Sequence, residues 1–206
     1  MMSILWRCLS LVSVVCACCF GSSCDRPEPL VVRQAISFYI AVPANDPDAP
    51  QSAGAATTWL LLDDPHEWVN RWDDWRENFA ELMSHRGLIA RMSESGEASI
   101  LVYSDAEQTM LPNDTETWEV LEVHKSKDQL GRSSVAFTLD ARGALRMREL
   151  TSNHMNETLA IAVDGIVLSV GRIHEPLGNS GMIVGSFTDD EINDLLAQLH
   201  ESGGRK

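Results

Sequence analysis

The sequence predicts an α+β fold built from mainly antiparallel sheet, with amphipathic helices packed on one face. Three observations predict it. Short apolar runs alternate with small or polar residues at a period of two and are bounded by Gly and Pro, the pattern of half-buried strands joined by turns. Other segments carry capping residues followed by apolar side chains at steps of three and four, the pattern of helices. Both kinds of segment occur in each half of the chain without regular βαβ alternation, so the helices cover sheet faces rather than link parallel strands. At 206 residues and 44% hydrophobic, the chain is long enough to bury a sizeable core.

The first 24 residues carry one basic residue, Arg7, no acidic ones, and an apolar run from Leu9 to Phe20. That run is shorter than the ~20 residues a membrane helix needs and has the proportions of a signal-peptide h-region. It ends in Gly21-Ser22-Ser23-Cys24, small residues followed by a cysteine. This resembles the lipobox of bacterial lipoproteins, which makes Cys24 the candidate lipidation site, with Val15-Cys16-Ala17-Cys18 as a competing one. Plain secretion and an uncleaved anchor are the alternatives. All five cysteines, Cys8, Cys16, Cys18, Cys19 and Cys24, lie in this segment, so the rest of the chain can form neither a disulfide nor a thiolate metal site.

Residues 25–30 read as a polar tether with two prolines, and residues 31–111 as an N-terminal α+β region. Ile36, Phe38, Ile40 and Val42 alternate with Ser37, Tyr39 and Ala41 and predict a first strand. Pro43 to Ala56 is a breaker-rich loop, and Thr57 to Leu62 a second strand. Asp64-Pro65-His66-Glu67 opens a helix, with Asp64 as N-cap and Pro65 in the first position. Trp68, Trp72, Trp75, Phe79 and Leu82 form its apolar stripe, and Arg86-Gly87 closes it. Leu88 to Met92 and Ala98 to Tyr103 predict a hairpin through Ser95-Gly96.

Pro112-Asn113-Asp114 marks the boundary to a second region, 112–206. There Trp118, Val120 and Val123 lead through a polar loop, Lys125 to Arg132, into a strand at Val135. Leu159, Ile161 and Val163 alternate with Ala160 and Ala162. Asp164-Gly165 interrupts, and Ile166, Leu168 and Val170 resume. This is a two-residue hairpin signal, because a type I′ turn needs positive φ at both central residues. Met182 to Phe187 predicts another strand after a loop with Pro176, Gly178 and Gly181, glycines expected to serve backbone conformation. Thr188 and Glu191 form a capping box ahead of Ile192, Leu195, Leu196 and Leu199. The helix stops at Gly203, with His200 near the negative end of its dipole.

These residues resemble the head of the first periplasmic domain of SecD, the membrane subunit that assists protein export in bacteria. The matching residues are Val135-Ala136-Phe137-Thr138-Leu139, Gly143, Glu149-Leu150-Thr151, Leu159-Ala160-Ile161, Asp164-Gly165, Ile173-His174-Glu175-Pro176, Ile183 to Thr188, and Glu191 with Leu195 to Leu199. They cover most of residues 118–203. Where the family has Ser-Ala-Pro after the hairpin, this chain has Ser169-Val170-Gly171. The resemblance implies a module that contacts the translocating chain, without the transmembrane helices that carry SecD's proton-coupled motor.

Charge narrows the partners further. Without Arg7 the 16 basic residues fall to 15 against 30 acidic ones, a net charge of −15, and no Lys/Arg cluster stands out. Phosphate backbones and anionic membrane surfaces would repel such a surface, which excludes nucleic acid as a partner. No catalytic site is legible either. Asp63, Asp64, His66 and Glu67 lack the second His of a zinc helix and are better explained as caps. His154 and His174 have no partner at ligand spacing and read as solvated polar residues. No serine sits in a G-x-S-x-G elbow, and no phosphate loop is present. Cofactor and metal residues are therefore none, and no binding residue is assigned.

The function expected is a non-enzymatic, lipid-anchored protein of the cell envelope that uses a SecD-like head for protein contact, accessory to export, with envelope or exported proteins as partners. An envelope hydrolase with an unrecognised His/carboxylate site and a structural lipoprotein are the alternatives.

Overall fold

The computed structural model describes residues 36–63, 77–112, 117–185 and 187–202. In chain order the elements are β1 (Ile36–Ile40), β2 (Thr57–Leu62), α1 (Phe79–His85), β3 (Ala90–Met92), β4 (Ala98–Tyr103), β5 (Thr109–Met110), β6 (Val120–Lys127), β7 (Ser133–Leu139), α2 (Ala141–Asn153), β8 (Thr158–Val163), β9 (Ile166–Arg172), β10 (Ser180–Val184) and α3 (Asp189–Ser202). Seven strands form one sheet in the order β3-β4-β2-β9-β8-β1-β5, and β10-β7-β6 form a second. This is an α+β fold, antiparallel throughout except where β2 runs parallel to β9, pairing Leu61 with Ile166 and Leu62 with Val167.

β8 shows why the sheet has a core on each side. Leu159, Ile161 and Val163 point into the main core, where β1 contributes Ile36, Phe38 and Ile40, and Ile161 pairs with Phe38. The intervening Ala160 and Ala162 face a second core holding Phe79 and Met83 of α1 with Ile100 and Val102 of β4. Alternating large and small side chains thus fill a wide core and a narrow one from a single strand. The predicted turn closes β8 onto β9, with φ of 49° at Asp164 and 83° at Gly165, both positive as a type I′ turn requires. The large sheet also curls, so that Val42, just beyond β1, donates from its amide to the Leu101 carbonyl of β4 at 3.0 Å.

The small sheet and two helices close the main core from the other side. Val135, Phe137 and Leu139 of β7, Met147 and Leu150 of α2, and Ile192, Leu195 and Leu199 of α3 all lie in it. The ring of Phe38 sits 5.6 Å from that of Phe137 and 5.9 Å from that of Trp118, tilted in both cases. α2 starts at Asp140, whose carboxylate accepts the Gly143 amide at 2.7 Å.

Several boundaries differ from those the sequence predicts. The polar stretch from Lys125 is strand as far as Lys127, because its backbone pairs with β7 down to Lys127↔Ser133. Only the residues between β6 and β7 turn, held by the Asp128 carboxylate accepting the amides of Leu130 and Arg132. β10 lies at Ser180–Val184 rather than 182–187, since its register with β7 is set by Ser180↔Thr138 through Val184↔Ser134. Ser169-Val170-Gly171 simply continues β9. β3 begins at Ala90, two residues later than expected, and the two-residue β5 carries no signal of its own. The predicted helix start at Asp64 and the residues Trp68, Trp72 and Trp75 lie outside the described residues. Phe79 is buried and Leu82 half-buried, as a core-facing stripe requires.

Candidate protein-contact groove

The small sheet and α3 cover β1, β8 and part of β9, and their cover stops at β9. Further along the same face Leu101 of β4 is buried again with Val42 and Ala49, but where β9 meets β2 the face is uncovered. Ile166 and its cross-strand neighbour Leu61 are 40% and 43% exposed, side by side on that face. Between this edge and the start of α3 runs a groove of about 410 Å³. Its floor is Val163, Ile166, Leu168, Phe187 and Leu195, and around it stand Asp63, Asp164, Glu191 and Asp194. None of the described residues lining it is a Lys or Arg.

Local structure fixes these groups. Asp164 is held in the turn, so its side chain projects at the hairpin tip. Glu191 belongs to the capping box: its carboxylate accepts the Thr188 amide at 2.7 Å and the Thr188 hydroxyl at 2.8 Å. The Glu191 amide in turn donates to the Thr188 hydroxyl at 3.3 Å. The two bonds from Thr188, the backbone one foremost, hold the Glu191 carboxyl below the usual range, so it stays charged. Asp189 is also lowered, first by its hydrogen bonds with Lys125 and Ser133, and Lys125 Nζ lies 2.7 Å from it. Phe187 is positioned by Gly185, where a Cβ would come within 2.8 Å of the ring.

Of the residues singled out from the sequence, Cys24, Asp64, His66 and Glu67 lie outside the described residues. Asp63 directly follows β2, and its amide donates to the Val167 carbonyl at 3.1 Å. His174 is exposed. His154, expected as a solvated polar residue, is packed instead. Its Nδ1 lies 3.1 Å from a Glu157 carboxylate oxygen and its Nε2 3.3 Å from the Glu107 carbonyl, tying the end of α2 to the loop before β5. Among the described residues no three His, Cys, Asp or Glu side chains cluster as metal ligands. Sequence reasoning assigned no binding residue. The available signal was an apolar Ile166 directly after a hairpin turn, together with the density of acids in the first turns of α3. Those acids equally suit a helix N-terminus.

Residues 104–203, just under half of the chain, match the family model of the SecDF P1 head subdomain. Protein translocase subunit SecD of Koribacter versatilis is 36% identical over 74 residues, covering 36% of this chain and 14% of that protein. SecD of Leptotrichia buccalis is 38% identical over 79 residues, covering 38% and 19%. SecD of Syntrophobacter fumaroxidans is 40% identical over 72 residues, covering 34% and 14%. The chain thus spans less than a fifth of the length of these relatives. A solved SecDF, described as a membrane component that enhances protein export, aligns over 89% of this chain and 70% of that chain at a TM-score of 0.45 and 21% identity. SecDF in its super-membrane-facing form aligns over 84% of this chain and 19% of that chain, with a TM-score of 0.45 and 19% identity. Residues 104–203 of this chain are a SecD P1-head-like domain.

Proposed function

We propose that this chain is a non-enzymatic protein of the bacterial cell envelope, anchored through lipid on Cys24, that uses its SecD-like head as a protein-contact module accessory to protein export. The observation that carries the reading is the head-type domain itself, matched in sequence over residues 104–203. Two further features support it. The apolar run from Leu9 to Phe20 with small residues ahead of Cys24 supports the anchor, and among the described residues no helix is long and apolar enough to cross a membrane. The open groove offers apolar surface that a polypeptide can cover, on a chain whose charge disfavours nucleic acid and anionic lipid.

The test is photo-crosslinking of the full chain in envelope preparations during active export, followed by identification of what is captured. Translocating chains or export components are the expected adducts. Capture of small molecules alone, or adducts unchanged when export is blocked, would overturn the reading. The anchor is tested separately with Cys24→Ala, which should lose metabolic lipid labelling and membrane retention. Label that persists until Cys18 is also replaced assigns the lipid to Cys18, and retention after loss of both sites makes the N-terminal segment an uncleaved anchor.

A further inference from the structure

We infer that the groove between β9 and α3 is a docking site for cationic, apolar polypeptide segments: extended stretches with aliphatic or aromatic side chains flanked by Lys or Arg. The inference rests on the protein-contact reading and gives it a location and a ligand chemistry.

The floor fixes the apolar half of the ligand. Ile166, Leu168 and Phe187 are exposed or half-buried around the 410 Å³ cleft, above the buried Val163 and Leu195. Leu61 extends the apolar surface sideways across the parallel pairing with Ile166. Both strands that supply this edge belong to the sheet, and α3 is pinned by its capping box, so the walls are preorganised. The rim fixes the other half. Asp164 at the hairpin tip and Glu191 and Asp194 on α3 stand around the cleft with no described cation among its lining residues. Glu191 is held charged by its bonds from Thr188, both of which go to Oε2. Lys125, the nearby base, is engaged with Asp189 instead.

Charge also discriminates between occupants. A second copy of a chain with a net charge of −14 would bring acid against acid. An anionic bilayer or a phosphate backbone meets the same repulsion. A basic apolar segment gains from both halves of the site: the apolar side chains leave water, and the flanking cations meet the rim.

The experiment measures binding of the full chain to two fluorescein-labelled peptides that share a Leu/Ile/Phe centre and differ only in having Lys or Glu at both ends. Permanently unfolded client protein is titrated in parallel. The Lys-flanked peptide should bind, weaken as salt is raised, and lose about tenfold in affinity in Ile166→Ser. Asp164→Asn with Asp194→Asn should weaken it similarly while leaving the turn and the helix cap intact, since Asn also accepts positive φ. Equal binding of the Glu-flanked peptide, or Lys-peptide binding untouched by both variants, overturns the proposal. Concentration-dependent dimerisation that Ile166→Ser abolishes would assign the groove to a second copy and overturn it too. Client binding that survives both variants sinks the groove and leaves the protein-contact reading standing, whereas absence of binding to peptide and client alike sinks both.

Discussion

Gly181→Ala should destabilise the fold although nothing in its backbone asks for glycine. Gly181 lies in β10 opposite Phe137 of β7, outside the left-handed region where glycine is required. By backbone entropy alone, alanine in a strand would gain about 0.5–1 kcal/mol. Space decides otherwise. A Cβ at this position would lie 2.3 Å from Phe137 Cζ and 2.8 Å from Cε1, far inside van der Waals contact. The ring cannot yield freely, because it is 3% exposed and rests against Phe38, itself packed on Trp118. Overpacking of this kind costs about 1–3 kcal/mol, so the net loss should be about 1–2 kcal/mol. At about 3 °C per kcal/mol for a chain of this length, Tm should fall by roughly 3–6 °C in thermal denaturation followed by circular dichroism. Combining Gly181→Ala with Phe137→Leu should recover part of the loss, a favourable coupling of about 1 kcal/mol in the double-mutant cycle. A Tm for Gly181→Ala equal to or above that of the parent would refute the reasoning and show that the ring relocates without cost.

Leu195→Ala should cost about 2–4 kcal/mol, because Leu195 lies in the main core, and Leu196→Ala less, because Leu196 only borders it; equal, negligible losses in chemical denaturation would show that this face of α3 is not packed. Glu191 and Asp189 both have lowered folded-state pKa values, so their contribution to stability is complete above the ordinary carboxylate range and disappears as pH falls through the lowered values. Glu191→Gln should therefore flatten the acid limb of Tm against pH, and a parallel curve would remove the cap from the account. Residues 112–206 alone should be far less stable than residues 25–206, because they lack the β1 strand that pairs with β8 over five positions and the Ile36, Phe38 and Ile40 side chains in the main core. A fragment with the Tm of the longer chain would show that the C-terminal region folds independently.

What the sequence made legible follows from the range of the physics involved. The β8–β9 hairpin and the α3 capping box depend on neighbours within a few residues, Asp164-Gly165 and Thr188 to Glu191, and both stand in the structure as read. Strand limits depend on partners far along the chain. Lys125 to Lys127 are polar enough to suggest a loop, yet pairing with Ser133 to Val135 makes them strand. Gly181 looked like a turn residue because the ring it makes room for belongs to another strand, 44 residues earlier in sequence. The groove was illegible for the same reason. Its floor joins the hairpin, Phe187 and α3, and the apolar residues there are ordinary core-forming types whose exposure depends on where the second layer ends.

That ending of the second layer links the fold to the proposed site. Within the large sheet, β8 and β9 come from the head-like stretch, and the strands that flank them, β1 and β2, lie before it. Unpaired edges on β8 and β9 would invite association with other chains, so β1 and β2 also remove a liability. β1 does this over the full length of β8. β2 meets β9 only at Leu61↔Ile166 and Leu62↔Val167, with the Asp63 amide bonding Val167 as the contact beyond. The groove opens at that short seam. A segment seated against Ile166 therefore also lies against Leu61, and Leu61→Ser should weaken the Lys-flanked peptide nearly as much as Ile166→Ser, although Leu61 precedes the head-like stretch.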